Sequence, residues 1–156
     1  MLEYGHMKAD QKLSELGYTL PDLPAPGGNY LPAKIIGNFV FLSGVISTDE
    51  LGVMTGIIGQ DRSIEEGYAA ARRCALTQLA VLRQTIGTLD RIKQVVSLNG
   101  YVNTVSSFPD SPKVINGASD LLVEVFGEVG RHVRAALGVA ALPRNAMVEI
   151  QMTVEI

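Results

Sequence analysis

The spacing of apolar residues along this chain switches between two and about 3.6, and each switch marks an element. Lys8 to Leu16 (KADQKLSEL) has the pattern of a short amphipathic helix, and Gly17 is suited to end it. Pro21, Pro24 and Pro26 hold the next stretch extended until Gly27-Gly28. After Tyr30 to Pro32, Ile35-Ile36 and Phe39-Val40-Phe41-Leu42 flank Gly37-Asn38, which predicts a hairpin whose second strand ends in Ser43-Gly44. Val45 to Gly59 holds Asp49, Gly52, Gly56 and Gly59 and reads as loop with at most a short strand. Ser63 with Glu66 forms a capping box for a helix running to about Ile86, apolar through Ala69, Cys74, Leu76, Leu79, Ala80, Val81 and Leu82, and ended by Gly87.

Ile92 to Val102 (with QVVSLNGYV) predicts a strand, and Gly100 within it suggests a bulge. Phe108 to Pro112 is a turn before a second long helix from about Lys113 to Phe126. That helix carries Val114, Ala118, Leu121, Leu122, Val125 and Phe126 inward, and Gly127 and Gly130 end it.

The last segment, RAALGVAALPRNAMVEIQMTVEI from Arg134 to Ile156, reads as two strands joined by Leu142-Pro143-Arg144-Asn145-Ala146 into a hairpin. In the first strand Ala135, Leu137, Val139 and Ala141 form an apolar face. The other face holds only Ala136, Gly138 and Ala140 beneath Arg134, which leaves room for something other than protein. In the second strand Val148, Ile150, Met152 and Val154 alternate with Glu149, Gln151, Thr153 and Glu155.

The order strand-strand, helix, strand, helix, strand-strand predicts an α+β domain, a mixed sheet with two helices on one face. Residues 1–26 form an N-terminal extension and 27–156 a single domain, a length sufficient for a core without disulfides or metal. Met1 to His6 read as residues foreign to the natural chain ahead of a native Met7, so His6 is kept out of every site.

Hydrophobic residues at 47% and charged residues at 19% are globular proportions. A net charge of −3 and the lack of a Lys/Arg cluster, beyond Arg72-Arg73 and Arg131 to Arg134, argue against nucleic acid as partner. The single Cys74 sits in an apolar helical run and reads as a core residue in a reducing, cytoplasmic setting rather than as a nucleophile. No apolar run is long enough to span a bilayer, and no signal peptide is expected. Two histidines and one cysteine, far apart, lack metal-ligand spacing. Walker loop, GxGxxG and nucleophile elbow are missing as well, so no cofactor or metal is expected.

Three blocks carry a resemblance to a known family: GNFVFLSG (Gly37 to Gly44), VINGAS with Asn116, and above all RAALGVAALPRNAMVEI (Arg134 to Ile150). From Tyr30 to Glu155 the chain resembles the Rid family, also called YjgF or endoribonuclease L-PSP. It is most similar to the longer branch, which has an N-terminal helix and a proline-rich lead-in. The resemblance implies a chorismate-mutase-like fold with a six-stranded sheet, and a homotrimer with sites between subunits. It also implies cofactor-free hydrolysis of enamine and imine intermediates such as 2-aminoacrylate, which pyridoxal-phosphate enzymes release from Ser or Thr. The products are a 2-keto acid and ammonia. Two other readings are a small-carboxylate or keto-acid binding module with little turnover and the endoribonuclease of the older family name.

By the same resemblance Arg134 is the family's essential arginine, and its planar fork matches a substrate carboxylate. A salt bridge at a strand start is the structural alternative. Glu149 corresponds to the site glutamate that would serve water or the imine nitrogen, where a plain solvated carboxylate is the alternative. Tyr30 lines the cleft or packs under the lead-in. Ser43 and Gly44 offer backbone groups to the ligand or simply end a strand, and Asn116 touches a ligand or caps a loop. Ala136 stands where archetypal members commonly carry a cysteine, which alters the shape and polarity of the pocket. His132 flanks the arginine and reads as either a general acid or a surface loop residue, the latter being the usual fate of a lone histidine.

Overall fold

A capping box fixes where the longest element begins. In the computed structural model, which describes residues 8–156, the Ser63 hydroxyl accepts from the Glu66 amide at 3.1 Å and the Glu66 carboxylate accepts from the Ser63 amide at 3.3 Å. The helix they open spans Ile64–Ile86, and Gly87 closes it with φ +88°. It is the second of three helices, α1 (Ala9–Glu15), α2 (Ile64–Ile86) and α3 (Ser111–Phe126). Asp110 precedes α3 and Pro112 lies in its first turn, where a missing N–H costs nothing. Met1 to His6 lies outside the described residues.

Eight strands follow the chain: β1 (Ala33–Ile36), β2 (Phe39–Leu42), β3 (Val45–Ile46), β4 (Thr48–Asp49), β5 (Gly52–Val53), β6 (Gln94–Asn103), β7 (Val133–Val139) and β8 (Val148–Glu155). Six form one mixed sheet in the order β1-β2-β8-β6-β7, with β3 also paired to β8, while β4 and β5 make a separate ribbon. The β1–β2 hairpin turns at Gly37-Asn38 as the sequence predicts, with Gly37 at φ +58°.

The predicted terminal hairpin does not form. β8 enters the sheet between β2 and β6, and β7 pairs parallel with β6 on its far side. Alternating character marks a strand but not its neighbour, and α3 supplies the crossover that a parallel β6–β7 pair requires. The Leu142 to Ala146 link is a 3-10 turn in which Arg144 and Asn145 take φ of +54° and +57°.

Two further expectations change. The ladder between β6 and β8 slips between Val95 and Ser97, so the bulge is at Val96 and Gly100 stays in register. Gly100 is small for a different reason, since a Cβ there would come within 2.6 Å of the Ile115 side chain from α3. The faces of β7 are also reversed. Val133 and Leu137 are 72% and 53% exposed, and the Arg134, Ala136, Gly138 face turns toward α3. That face is bare because a helix lies over it: a Cβ on Gly138 would stand 3.2 Å from the Ser111 hydroxyl and 2.8 Å from that of Thr104.

Between helices and sheet lies the core, with Val40, Leu42, Leu98, Val102, Ile150, Met152 and Val154 from the sheet against Leu79, Leu82, Ile115, Leu121 and Leu122 from α2 and α3. α1 closes one end through Leu13, and Asp10 accepts from the Thr88 hydroxyl at 2.6 Å and the Leu89 amide at 3.1 Å. Arg72 of α2 bonds the Tyr18 hydroxyl and the Glu124 carboxylate, which fastens the lead-in and α3 together. Among the described residues nothing covers the other face of the sheet, which carries Ile36, Phe39, Phe41, Val133 and Leu137 in the open. Phe41, Thr153, Ser97 and Val133 form one row straight across it.

Candidate functional site

Arg134 is the second residue of β7 and reaches over the sheet to α3. Three α3 residues at helical spacing, Pro112, Asn116 and Ser119, face it. Its Nη1 donates to Ser119 Oγ at 3.0 Å, and its Nη2 donates to Asn116 Oδ1 at 2.9 Å and the Pro112 carbonyl at 3.4 Å. All three acceptors are neutral, and among the described residues Arg134 makes no ion pair. Two of its five N–H groups stay unengaged, and the Asn116 amide nitrogen is a further donor beside them. The guanidinium is exposed, fixed and still charged, an arrangement suited to an incoming carboxylate. Ala136 lies on the same face, half-buried one pleat further along β7.

Behind Arg134 stands His132, which is half-buried rather than a surface loop residue. Its Nε2 lies 2.9 Å from Ser119 Oγ and its Nδ1 lies 2.8 Å from the Gly130 carbonyl. Burial, reinforced by the Arg134 charge, lowers its pKa below the ordinary histidine value against a raising effect of the Gly130 carbonyl.

A second group of predicted residues gathers around Glu149 on β8. Gly44 lies so close that a Cβ there would be 3.2 Å from the Glu149 carboxyl carbon, so a side chain at this position would have to displace the carboxylate. The Ser43 hydroxyl donates to the Leu31 carbonyl at 2.6 Å and its amide to the Pro32 carbonyl at 2.9 Å, tying the Tyr30 lead-in to the end of β2. Tyr30 is 53% exposed, its ring folded back beside Gly28. Leu31, Lys34, Phe41, Ser43 and Gln151 line a shallow hollow next to this group. Burial alone raises the pKa of Glu149 above the usual carboxylate range.

Sequence reasoning missed two supports, Ser119 and Gln78. Ser119 was discoverable, because Pro112, Asn116 and Ser119 recur at i, i+4 and i+7 on one helix face. Gln78 gave no such sign. It is fully buried in α2 and donates to the Ser43 carbonyl at 3.0 Å and the Ile150 carbonyl at 2.8 Å, holding the strand end beside Glu149.

The seven predicted residues therefore form two groups. Arg134, Asn116 and Ala136 lie on the helix side of the sheet, and Glu149, Ser43, Gly44 and Tyr30 gather around β8 and the end of β2. Arg134 is paired with Leu98 and Glu149 with Tyr101, three residues apart on β6, so their side chains point to opposite faces. Glu149 is two strands from Arg134, not one.

Residues 10–156 match the YjgF/chorismate mutase-like family. The chain belongs to the Rid/YjgF family. Among its Rid relatives, Protein TCP17 of Trypanosoma cruzi is 45% identical over 146 residues, covering 92% of this chain and 91% of that protein. A 2-iminobutanoate/2-iminopropanoate deaminase of Dermatophagoides farinae is 30% identical over 140 residues, covering 87% and 92%. The crystal structure of the protein Atu1372, of unknown function, from Agrobacterium tumefaciens superposes with a TM-score of 0.86 at 42% identity, covering 95% of this chain and 91% of that one. The chorismate-mutase-like α+β fold inferred from the Rid motifs is thus the fold observed, with a third helix added at the N-terminus. No helix among the described residues is long and apolar enough to cross a membrane.

Proposed function

We propose that this protein hydrolyses small 2-imino acids to 2-keto acids and ammonia without a cofactor, at sites shared between neighbouring subunits of a homotrimer. One observation carries the reading: a surface guanidinium held rigid by neutral acceptors only, with N–H groups left over. The deaminase relative from the mite supports the reaction class. In this reading Arg134 and Asn116 grip the substrate carboxylate and so fix the adjacent imine carbon. Water adds to that carbon and gives a carbinolamine. As the carbonyl forms and the C–N bond breaks, the carbinolamine hydroxyl proton also passes to nitrogen, so ammonia leaves with both protons of the water. Glu149 takes the water proton and returns it to nitrogen, a task helped by a pKa raised toward neutrality. A 2-amino-acrylate enters the same route after tautomerising to its imine.

The shared site is supported by the opposite facing of Arg134 and Glu149. It is supported also by the apolar side chains left open on that face of the sheet, Ile36, Phe39, Phe41, Val133 and Leu137, which a second copy would bury. Light scattering should give three chains per particle. A monomer would undo the shared site.

To test the chemistry, a threonine dehydratase is run with limiting enzyme, and 2-oxobutyrate release is followed with and without this protein. Acceleration that Arg134→Lys removes is the expected result, and equal rates for both proteins would sink the reading. A second reading is a carboxylate-binding module with little turnover, and it is favoured by Ala136, which leaves the arginine side of the site without a thiol. Arg134-dependent binding of 2-oxobutyrate without any acceleration would select it. An RNA-cleaving role runs against the net charge of −3.

A further inference from the structure

Arginine is a long side chain, and fixing it in one place usually falls to an acidic partner. Here, among the described residues, no carboxylate does so. The hydrogen bonds behind Arg134 instead run through Ser119 and His132 to the Gly130 carbonyl. A guanidinium can only donate, so Ser119 Oγ must accept from Nη1. The Gly130 carbonyl can only accept, so His132 Nδ1 must carry a proton. The Ser119 hydroxyl has one proton and a second lone pair, so its contact with His132 Nε2 is made either by a neutral Nδ1–H ring that accepts from it or by an imidazolium that donates to it. The Arg134 charge bonded to the same oxygen disfavours the second and selects the neutral Nδ1–H form. Gly130 is itself packed directly on α3, close enough that a Cβ there would meet the Leu122 carbonyl oxygen at 2.3 Å. The line Gly130–His132–Ser119–Arg134 thus ties the fork to the packed end of α3.

We propose that Ser119 and His132 are positioning residues, a neutral relay that fixes the Arg134 fork without neutralising it, so that its charge is kept for an incoming carboxylate. An aspartate at Ser119 would hold the fork as firmly and would also satisfy it, at the expense of the ligand. The lowered pKa of His132 agrees with a neutral ring at physiological pH. For its ligand, though not for its geometry, the inference rests on the carboxylate reading above.

Two measurements on the intact protein separate the two. Long-range proton–nitrogen NMR of the histidine ring at pH 7.5 to 8, a range about one unit or more above the ordinary histidine value, should find His132 neutral with its proton on Nδ1. A proton on Nε2 would overturn the relay whatever the function. Calorimetry with 2-oxobutyrate then reads the ligand side. Ser119→Ala should weaken binding about tenfold, as loss of a bond to a charged group does. Ser119→Thr should restore most of it. His132→Leu should weaken binding in the wild type and have no further effect on top of Ser119→Ala, while His132→Gln, which keeps an acceptor near the Nε2 position, should lie close to wild type. Independent, multiplying effects of the two substitutions would refute the relay. If the wild type, or Arg134→Lys equally well, shows no Arg134-dependent binding, the carboxylate reading falls and the ring tautomer alone decides.

Discussion

Arg134 and Glu149 stand on opposite faces of one sheet, on strands that β6 keeps apart. Within one chain they cannot act on the same atom. If a neighbouring copy unites them, two inactive variants should rescue each other. Arg134→Lys and Glu149→Gln proteins, each inactive alone, should recover about a quarter of wild-type activity when unfolded together and reassembled in equal amounts. In such a shared arrangement each site would draw its two groups from different subunits, with half the subunits supplying each group. No recovery in verified mixed oligomers would place both groups in one chain's site or leave Glu149 out of the reaction.

Glu149 is held protonated more readily in the folded chain than in the unfolded one, because burial opposes its charge. Its folded pKa is raised, so the stability it contributes is complete below about pH 4, the unfolded value, and is lost as pH rises through the higher folded value. Glu149→Gln should therefore raise Tm at pH 7.5 and leave it unchanged near pH 4. A lower Tm at pH 7.5 would mean that the charged carboxylate is held by a cation.

Cys74 is fully buried in α2, and desolvation, with a smaller effect of Glu149, drives its pKa far above the usual thiol value. Iodoacetamide should leave it unmodified in the native protein and label it only at the rate of global unfolding. Fast labelling would show that the sheet end near β3 opens.

The crossing of α2 and α3 depends on Gly117, where a Cβ would lie 2.0 Å from the Tyr68 carbonyl oxygen. Gly117→Ala should cost about 3 kcal/mol, read from urea denaturation. Gly17→Ala, at φ +81° with nothing within 4 Å in the turn that ends α1, should cost only about 1 to 2 kcal/mol from backbone conformation. Equal losses would mean that the helices can move apart freely.

What could be read from the sequence was local. Ser63 and Glu66 lie three residues apart and satisfy each other's backbone, so the start of α2 was legible, as was the hairpin at Gly37-Asn38. Pairing of β7 with β6 rather than β8 was not, because it depends on where α3 returns the chain, and alternation is blind to that. The same gap hid what flanks the Arg134 face: Ala136 and Gly138 read as empty space until α3 half-covers Ala136 and brings Ser111, with Thr104, up to Gly138. Arg134, Asn116 and Glu149 were legible because they fall in recognisable motifs. Gln78 was not, since a buried glutamine in a helix looks from the sequence like any exposed one.

Pro112, Asn116, Ser119, His132 and Arg134 all come from one contiguous stretch of chain, α3 and the start of the strand after it. Glu149 and Ser43 are supplied by other elements entirely. If Arg134 grips the acid and Glu149 acts on it, as proposed, the grip and the chemistry are separately mutable. Substitutions around β2 and β8 would then retune what is done to a bound acid while the recognition of acids passes unchanged from one descendant to the next. A lineage built this way would diversify its reactions without losing hold of its substrates.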